Sequence, residues 1–238
     1  MSEVTKQAFA NPSSPHWAGR DARFLLEKSR ESLAKTLGAK PQEILFTSGG
    51  SESNNTVLRQ FLGNSGQQHL ITSAVEHPSV LETCRILAEQ ANIELTELAV
   101  DSSGSVDPQA LRASIRPDTS LISFMRANNE TGNLQSIEEF SEIAHEHEIP
   151  FHTDLVQAVG KIGVDLNASG ADFATATAHK LGGPRGIGLL YVREGSPFKS
   201  LITGGKQERV RRAGTENVTL AVGFAKAVEW YLANQTSL

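Results

Sequence analysis

Lys180 stands where a β-type run, Phe173 to Ala178, gives way to a glycine-rich turn, Gly182-Gly183-Pro184-Arg185-Gly186. A second β-type run follows, Ile187 to Val192. An amine at the end of a buried strand sits in low dielectric, which disfavours its charged form and makes it a nucleophile near neutrality. That is the requirement for a Schiff-base lysine. Glycines next to it let backbone approach a bulky ligand with no Cβ in the way. Taken alone, a lysine before a Gly-Pro turn is also an ordinary exposed loop residue.

Four other places carry candidate chemistry. Ser48-Gly49-Gly50-Ser51-Glu52-Ser53 follows a strand-like run and opens a helix, a combination that binds anions through backbone N–H groups and hydroxyls and also serves as a plain capped turn. It is neither a Walker loop nor a Gly-x-Gly-x-x-Gly fingerprint. Asp154 ends the run Phe151 to Thr153 and shares a strand face with His152, so it can hold a protonated ring nitrogen or, with His152, a metal. The plainer reading of His152 is a satisfied sheet histidine. Gln157 joins the Asp154 site if a helix begins there. His77, before Pro78 at a helix start, can stack on a flat cofactor or simply cap and pack.

Two further patterns are discounted. In His145-Glu146-His147-Glu148 the histidines are two apart, so on a helix they face different ways, and a solvated helix end results. Cys84 recurs with Val80 and Leu87 at helical spacing and reads as core rather than nucleophile.

Elements that alternate along the chain must position these residues. Residues 1–17 read as irregular. Helical periodicity runs from about Ala18 to Leu37, with Gly38 as its stop. Strand-like runs start at Ile44, His69, Ile93, Leu121, Pro150, Val164, Phe173 and Ile187. Between them lie helical segments from the Gly50 turn to about Leu62, Pro78 to about Ala91, Pro108 to Ile115 and Ile137 to about His147. Asp107 caps the third of these, and Ser136 with Glu139 forms a capping box on the fourth. An amphipathic helix from Val218 to Leu232 closes the chain. Strands alternating with helices predict an α/β fold, a mostly parallel mixed sheet flanked by helices; the short link at Lys180 makes its two strands antiparallel. Ligands in such sheets bind at strand carboxyl ends, where Ser51, His77, Asn129, Asp154, His179 and Lys180 all fall.

The 238 residues carry a net charge of −5 with both signs interspersed, which leaves no electrostatic footprint for nucleic acid. No apolar run has the length of a membrane span and no signal-peptide core opens the chain. A single cysteine fits a reducing compartment, so the cytoplasm is the expected location.

Together the segments resemble the cysteine desulfurase family of class V, fold-type I, pyridoxal-phosphate enzymes. They are Asn11-Pro12-Ser13-Ser14, Thr47 through Asn55, Asn128 through Gly132, His152-Thr153-Asp154 with Gln157 and Gly160-Lys161, Ala178-His179-Lys180 with Gly183 through Gly188, and Gly204-Gly205 with Gly214 through Asn217. The resemblance spans Asn11 nearly to the end and implies the large cofactor-binding domain, over about residues 18–238. Selenocysteine lyases share the same segments.

That resemblance implies pyridoxal 5'-phosphate as cofactor, no metal, and roles for named residues. Lys180 would bond the cofactor and shuttle the α-proton; Asp154 would pair with the ring nitrogen and Gln157 with the ring hydroxyl. His77 would stack on the ring and act as acid or base. Gly50, Ser51, Thr177 and His179 would hold the phosphate. Asn129 would lie near the ring oxygen and the substrate carboxylate. Thr215 would reach the phosphate of a neighbouring subunit, implying a homodimer. The implied reaction takes L-cysteine to L-alanine and passes sulfur to an acceptor or scaffold protein for iron–sulfur or thio-cofactor synthesis. Members also carry a small C-terminal domain with a nucleophilic cysteine and a carboxylate-binding arginine, for which this chain has no matching position, and an opening strand ahead of Asn11. Little turnover by the chain alone is therefore expected. The alternatives are a truncated or split cofactor-binding, dimerising subunit, and another class V lyase or transaminase.

Overall fold

A computed structural model describes residues 1–60, 66–90 and 92–234. Its centre is a seven-stranded sheet of β1 (Ile44–Thr47), β2 (Gln68–Ser73), β3 (Ile93–Leu98), β4 (Thr119–Ser123), β5 (Phe151–Asp154), β6 (Phe173–Thr177) and β7 (Gly188–Val192), in the order β1-β7-β6-β5-β4-β2-β3. Only β7 is reversed: it runs antiparallel to both β1 and β6, whereas all other pairs are parallel. The mixed α/β sheet expected from the sequence is present, including the antiparallel pair either side of Lys180.

Successive strand residues point to opposite faces, and the core divides accordingly. Ile44, Phe46, Ile71, Ile122, Leu189 and Tyr191 join one buried cluster; Leu45, Leu70, Leu121, Leu190 and Val192 join the other. Helices α2 (Trp17–Thr36), α5 (Pro108–Ser114), α6 (Ile137–Glu146) and α7 (Val218–Ala233) supply the first cluster, and α3 (Gly50–Arg59) and α4 (Pro78–Gln90) the second. Helix α2 buries Ala22, Leu26, Ser29 and Leu33, a stripe at three- and four-residue steps; His16 caps its start by accepting from the Gly19 N–H, and Gly38 at φ 67° follows its end. Cys84 is fully buried beside Val80 and Leu87, as its spacing predicts.

Four expectations need correction. Residues 1–17 are not wholly irregular, because Ser2–Gln7 form helix α1. It buries no residue of its own but leans on α7, with Thr5 Oγ1 3.3 Å from Thr219 Oγ1, a contact no local pattern discloses. Ser136 precedes α6 without any side-chain cap, because its ψ of 67° is far from the extended backbone a capping hydroxyl needs. Val164 to Leu166 is not a strand: the Leu166 and Asn167 N–H groups donate to Leu37 O and Gly38 O, docking the segment on the loop after α2. Lys180 is exposed, treated below. The expected ends of α3 at Leu62 and α4 at Ala91 lie outside the described residues.

Candidate functional site

A cavity of about 240 Å³ opens at the carboxyl ends of the parallel strands, lined by residues of five separate connections. The first turn of α3 contributes Gly50, Ser51 and Asn54, and the segment before and into α4 contributes His77 and Ser79. Met125, Ala127 and Asn129 follow β4; Asp154, Val156 and Gln157 follow β5; Thr177, His179 and Lys180 follow β6. This is where an open α/β sheet binds its ligand. Of the ten residues singled out from the sequence, nine share this cavity and Thr215 does not. Thr215 is exposed on the loop before α7. Asn54 and Ser79 are the polar residues that gained no role from the sequence. Asn54 was legible in principle, one helical turn beyond Gly50 on the same face of α3.

The floor of the cavity holds a buried carboxyl. Asp154 is 5% exposed; its Oδ2 accepts from Asn54 Nδ2 at 2.8 Å and its Oδ1 from the Val156 N–H at 2.9 Å. Burial lifts its pKa above the ordinary carboxylate range, against the pull of those two donors and of His77. Next to it, Glu76 is pushed up to about 8, chiefly by burial, although Met125 N–H and Ser73 Oγ donate to its Oε1. His152 donates to or accepts from Ser123 Oγ at 2.8 Å and Thr175 Oγ1 at 3.2 Å, and burial pulls its pKa down to about 3. That is the satisfied sheet histidine; among the described residues no cluster of His, Cys, Asp and Glu fits a metal.

The rim is open and polar. His77, Asn129, His179 and Lys180 are all exposed. Lys180 lies on a short 3-10 turn, Ala178–Leu181, which lifts it off the end of β6. The buried amine expected from the sequence is therefore not found; the strand stops at Thr177, three residues earlier than burial would need. Gln157 is positioned without the expected helix, since residues 156–158 form a turn. Lys161 Nζ donates to Gln157 Oε1, which turns the Gln157 amide N–H₂ the other way. The Lys161 pKa is lowered by burial and, secondarily, by the charge of Lys180. Burial and the nearby cations Lys180 and Arg185 lower that of His179, whose Nδ1 lies 3.0 Å from Thr177 Oγ1.

One wall is built from backbone. The α3 N-terminus carries no side-chain cap, which leaves first-turn N–H groups free to face an anion. A Cβ on Gly50 would lie 3.0 Å from Val156 Cγ2, and one on Gly188 would lie 2.6 Å from Gly49 C. The start of β7 thus presses directly on the turn that opens α3. Behind it, Arg212 grips Glu52 at 2.8 and 3.0 Å, while Glu52 accepts from the Ser48 N–H at 2.8 Å. These bonds outweigh burial and hold the Glu52 pKa below its usual value.

Similar proteins cover nearly the whole chain. The chain is 49% identical to "Cysteine desulfurase IscS" of Dictyoglomus turgidum over 231 residues, covering 96% of this chain and 58% of that protein. It is 46% identical to "Cysteine desulfurase IscS" of Methanosarcina thermophila, covering 93% of this chain and 55% of the relative. The chain thus spans little more than half the length of these curated relatives. Among solved structures, a "NifS-like protein" superposes with a TM-score of 0.93 at 38% identity, covering 99% of this chain and 66% of the other. A structure titled "SspA in complex with cysteine" superposes at 0.90 with 42% identity, covering 95% and 66%. The aminotransferase class-V family model matches residues 1–237. With that match extending over nearly all of its length, the chain belongs to the aminotransferase class-V family.

Proposed function

We propose that this chain is the pyridoxal-phosphate-binding part of a cysteine desulfurase. One observation carries the reading: an amine, a buried carboxyl, a flanking imidazole and a bare helix N-terminus converge on one cavity. The cavity suits the cofactor on its own terms. Asp154 is a buried carboxyl whose donors, the Asn54 amide and the Val156 N–H, are both neutral, so a protonated ring nitrogen would supply the missing positive partner. The uncapped Gly50 turn offers N–H groups that would hold a phosphate.

Lys180 is the residue that would bond the cofactor aldehyde. Its amine, on the rim, would take a proton from the substrate α-carbon and return it. Asp154 would hold the ring-nitrogen proton, Gln157 would donate to the ring hydroxyl oxygen, and His77 would cover one ring face. Gly50, Ser51, Thr177 and His179 would hold the phosphate, with Asn129 beside the ring and the substrate carboxylate. When bound, the cofactor supplies an electron sink that stabilises negative charge beside the reacting carbon. L-cysteine is the proposed substrate and L-alanine the product, with sulfur delivered to an acceptor protein for iron–sulfur or related synthesis. Thr215, away from the cavity of its own chain, is proposed to complete the phosphate site of a second copy in a homodimer. A cytoplasmic location accords with the free, buried Cys84.

Sulfur must leave as a persulfide on some thiolate, and Cys84 does not supply one. It is fully buried, and burial, with Glu76 and Glu97 nearby, pushes its pKa up to about 12. Turnover is therefore proposed to need a cysteine from a further domain, on this polypeptide or on a partner. Adding pyridoxal phosphate to the chain and to Lys180→Ala tests the core of the reading. A visible absorbance band that depends on Lys180 is expected; identical spectra would remove Lys180 from the site. Steady alanine production from cysteine by the purified chain alone would overturn the need for another thiol.

A further inference from the structure

His77, Ser79, Asn54 and Asp154 come from three parts of the chain yet form one line of hydrogen bonds. Asn54 Nδ2 lies 2.8 Å from Asp154 Oδ2 and 2.8 Å from Ser79 Oγ. Ser79 Oγ lies 2.8 Å from His77 Nδ1, and the Ser79 backbone N–H donates to the same nitrogen at 3.1 Å.

Counting donors gives the line a direction. The Asn54 amide has two hydrogens, and both are used, one on Asp154 and one on Ser79. The opposite amide orientation would set Asn54 Oδ1 against a carboxylate oxygen; the observed one leaves that Oδ1 buried without a hydrogen-bond partner instead. Ser79 Oγ therefore accepts from Asn54, and its own hydrogen is free for His77 Nδ1. A backbone N–H is always a donor, so His77 Nδ1 receives from Ser79 twice. A nitrogen that receives has a lone pair and no proton.

Given the cofactor site proposed above, we propose that Asn54 and Ser79 are positioning residues that fix His77 as its Nε2–H tautomer and register its ring against the Asp154 carboxyl. The two ends of the line are the two groups assigned to the cofactor ring, one beneath its nitrogen and one on its face. In this tautomer the neutral imidazole donates from Nε2 and cannot accept a proton there. Of the acid and base options open to His77, the geometry keeps the donor role and leaves proton abstraction to Lys180.

Nitrogen-15 NMR of histidine side chains tests this on the whole chain without added cofactor, with His77 assigned by the signal missing from His77→Gln. In the wild type, His77 is expected to show a protonated Nε2 and a bare Nδ1. Ser79→Ala should move the Nδ1 resonance toward the tautomer-averaged position of free imidazole, Asn54→Ala should move it the same way, and Ser79→Thr should restore it. A merely structural role for Ser79 would lower the melting temperature and leave the tautomer untouched. An Nδ1–H tautomer in the wild type would overturn the proposal without any variant having to fold. So would a Ser79→Ala spectrum that superposes on the wild type. A missing Lys180-dependent absorbance band would sink the cofactor reading while leaving this readout standing.

Discussion

Lys161 shows how a site can depend on a side chain that does not enter it. Its ammonium donates to Gln157 Oε1, so the Gln157 N–H₂ is left for the cavity. Replacing Lys161 by Met removes that restraint and lets the amide turn over. Because the bond is solvent-exposed, its net worth is modest, about 1 kcal/mol. The expected result is a roughly fivefold weaker apparent affinity for pyridoxal phosphate, read by absorbance titration, with the melting temperature lowered by no more than about 2–4 °C. Equal affinity in wild type and Lys161→Met would show that Gln157 is held by something else. Lys161 was visible in the sequence only as part of a resembling segment, because nothing in its spacing says which neighbour its amine will meet. Ser79 belonged to no resembling segment at all, and its bond to Asn54 joins residues 25 apart, which no local spacing discloses. Lys180, His77 and Asp154 were readable because residue type and position at a strand end restrict what they can do. For Lys180 the sequence offered both a buried strand-end amine and an exposed loop residue, and the choice between them rests on one 3-10 turn of four residues.

At the scale of elements, the approach of β7 to the turn before α3 is the tightest constraint on the site. A Cβ on Gly188 would fall 2.6 Å from Gly49 C and 2.7 Å from Gly49 Cα, against backbone that cannot give way without moving the turn. Gly188→Ala is therefore expected to lose about 1–3 kcal/mol of stability, seen in thermal melts. It should also bind pyridoxal phosphate more weakly, as the α3 N–H groups are displaced. Gly49→Ala is the control: its Cβ meets nothing within 4 Å and its backbone, at φ 160°, is extended. It should melt within about 0.5 kcal/mol of wild type. If both variants behave alike, close backbone contact is not what shapes the turn. The alternation of strands and helices was legible because buried strands and amphipathic helices have different periods. The α6 capping box was misread because the sequence shows the residue types of a cap but not the ψ angle at Ser136.

For the whole molecule, two buried groups should set the shape of the stability profile. Glu76 titrates near 8 in the fold against 4.5 unfolded, so its stabilising effect is complete below pH 4.5 and is lost as pH rises toward 8. His152 is depressed to about 3 from 6.5, so its effect is complete above pH 6.5 and is lost as pH falls toward 3. The two slopes oppose each other between pH 4.5 and 6.5, and each acts alone outside that range. Stability is thus expected to fall on both sides, by about 1.4 kcal/mol per pH unit for each group. Asp154, also raised by burial, acts with the same sign as Glu76, its contribution falling as pH rises above the ordinary Asp value. Glu76→Gln should flatten the alkaline limb between pH 6.5 and 8 in denaturant titrations and leave the acid limb as it was. An unchanged alkaline limb would place the Glu76 carboxyl in contact with water. His152 was legible in the sequence as a sheet histidine, but Glu76 was not singled out: it lies beside the conspicuous His77, and only tertiary packing buries its carboxyl.

The lone reversed strand also governs when the protein can become itself. Strand β1 has no neighbour in the sheet except β7, so Thr47 finds its partner only when Gly188 exists. On a ribosome adding about 5–20 residues per second, the 140 residues between Thr47 and Gly188 take on the order of ten seconds to emerge. During that interval the apolar β1 and the uncapped start of α3 wait unpaired, and a nascent chain halted before Gly188 would be a ready client for chaperones.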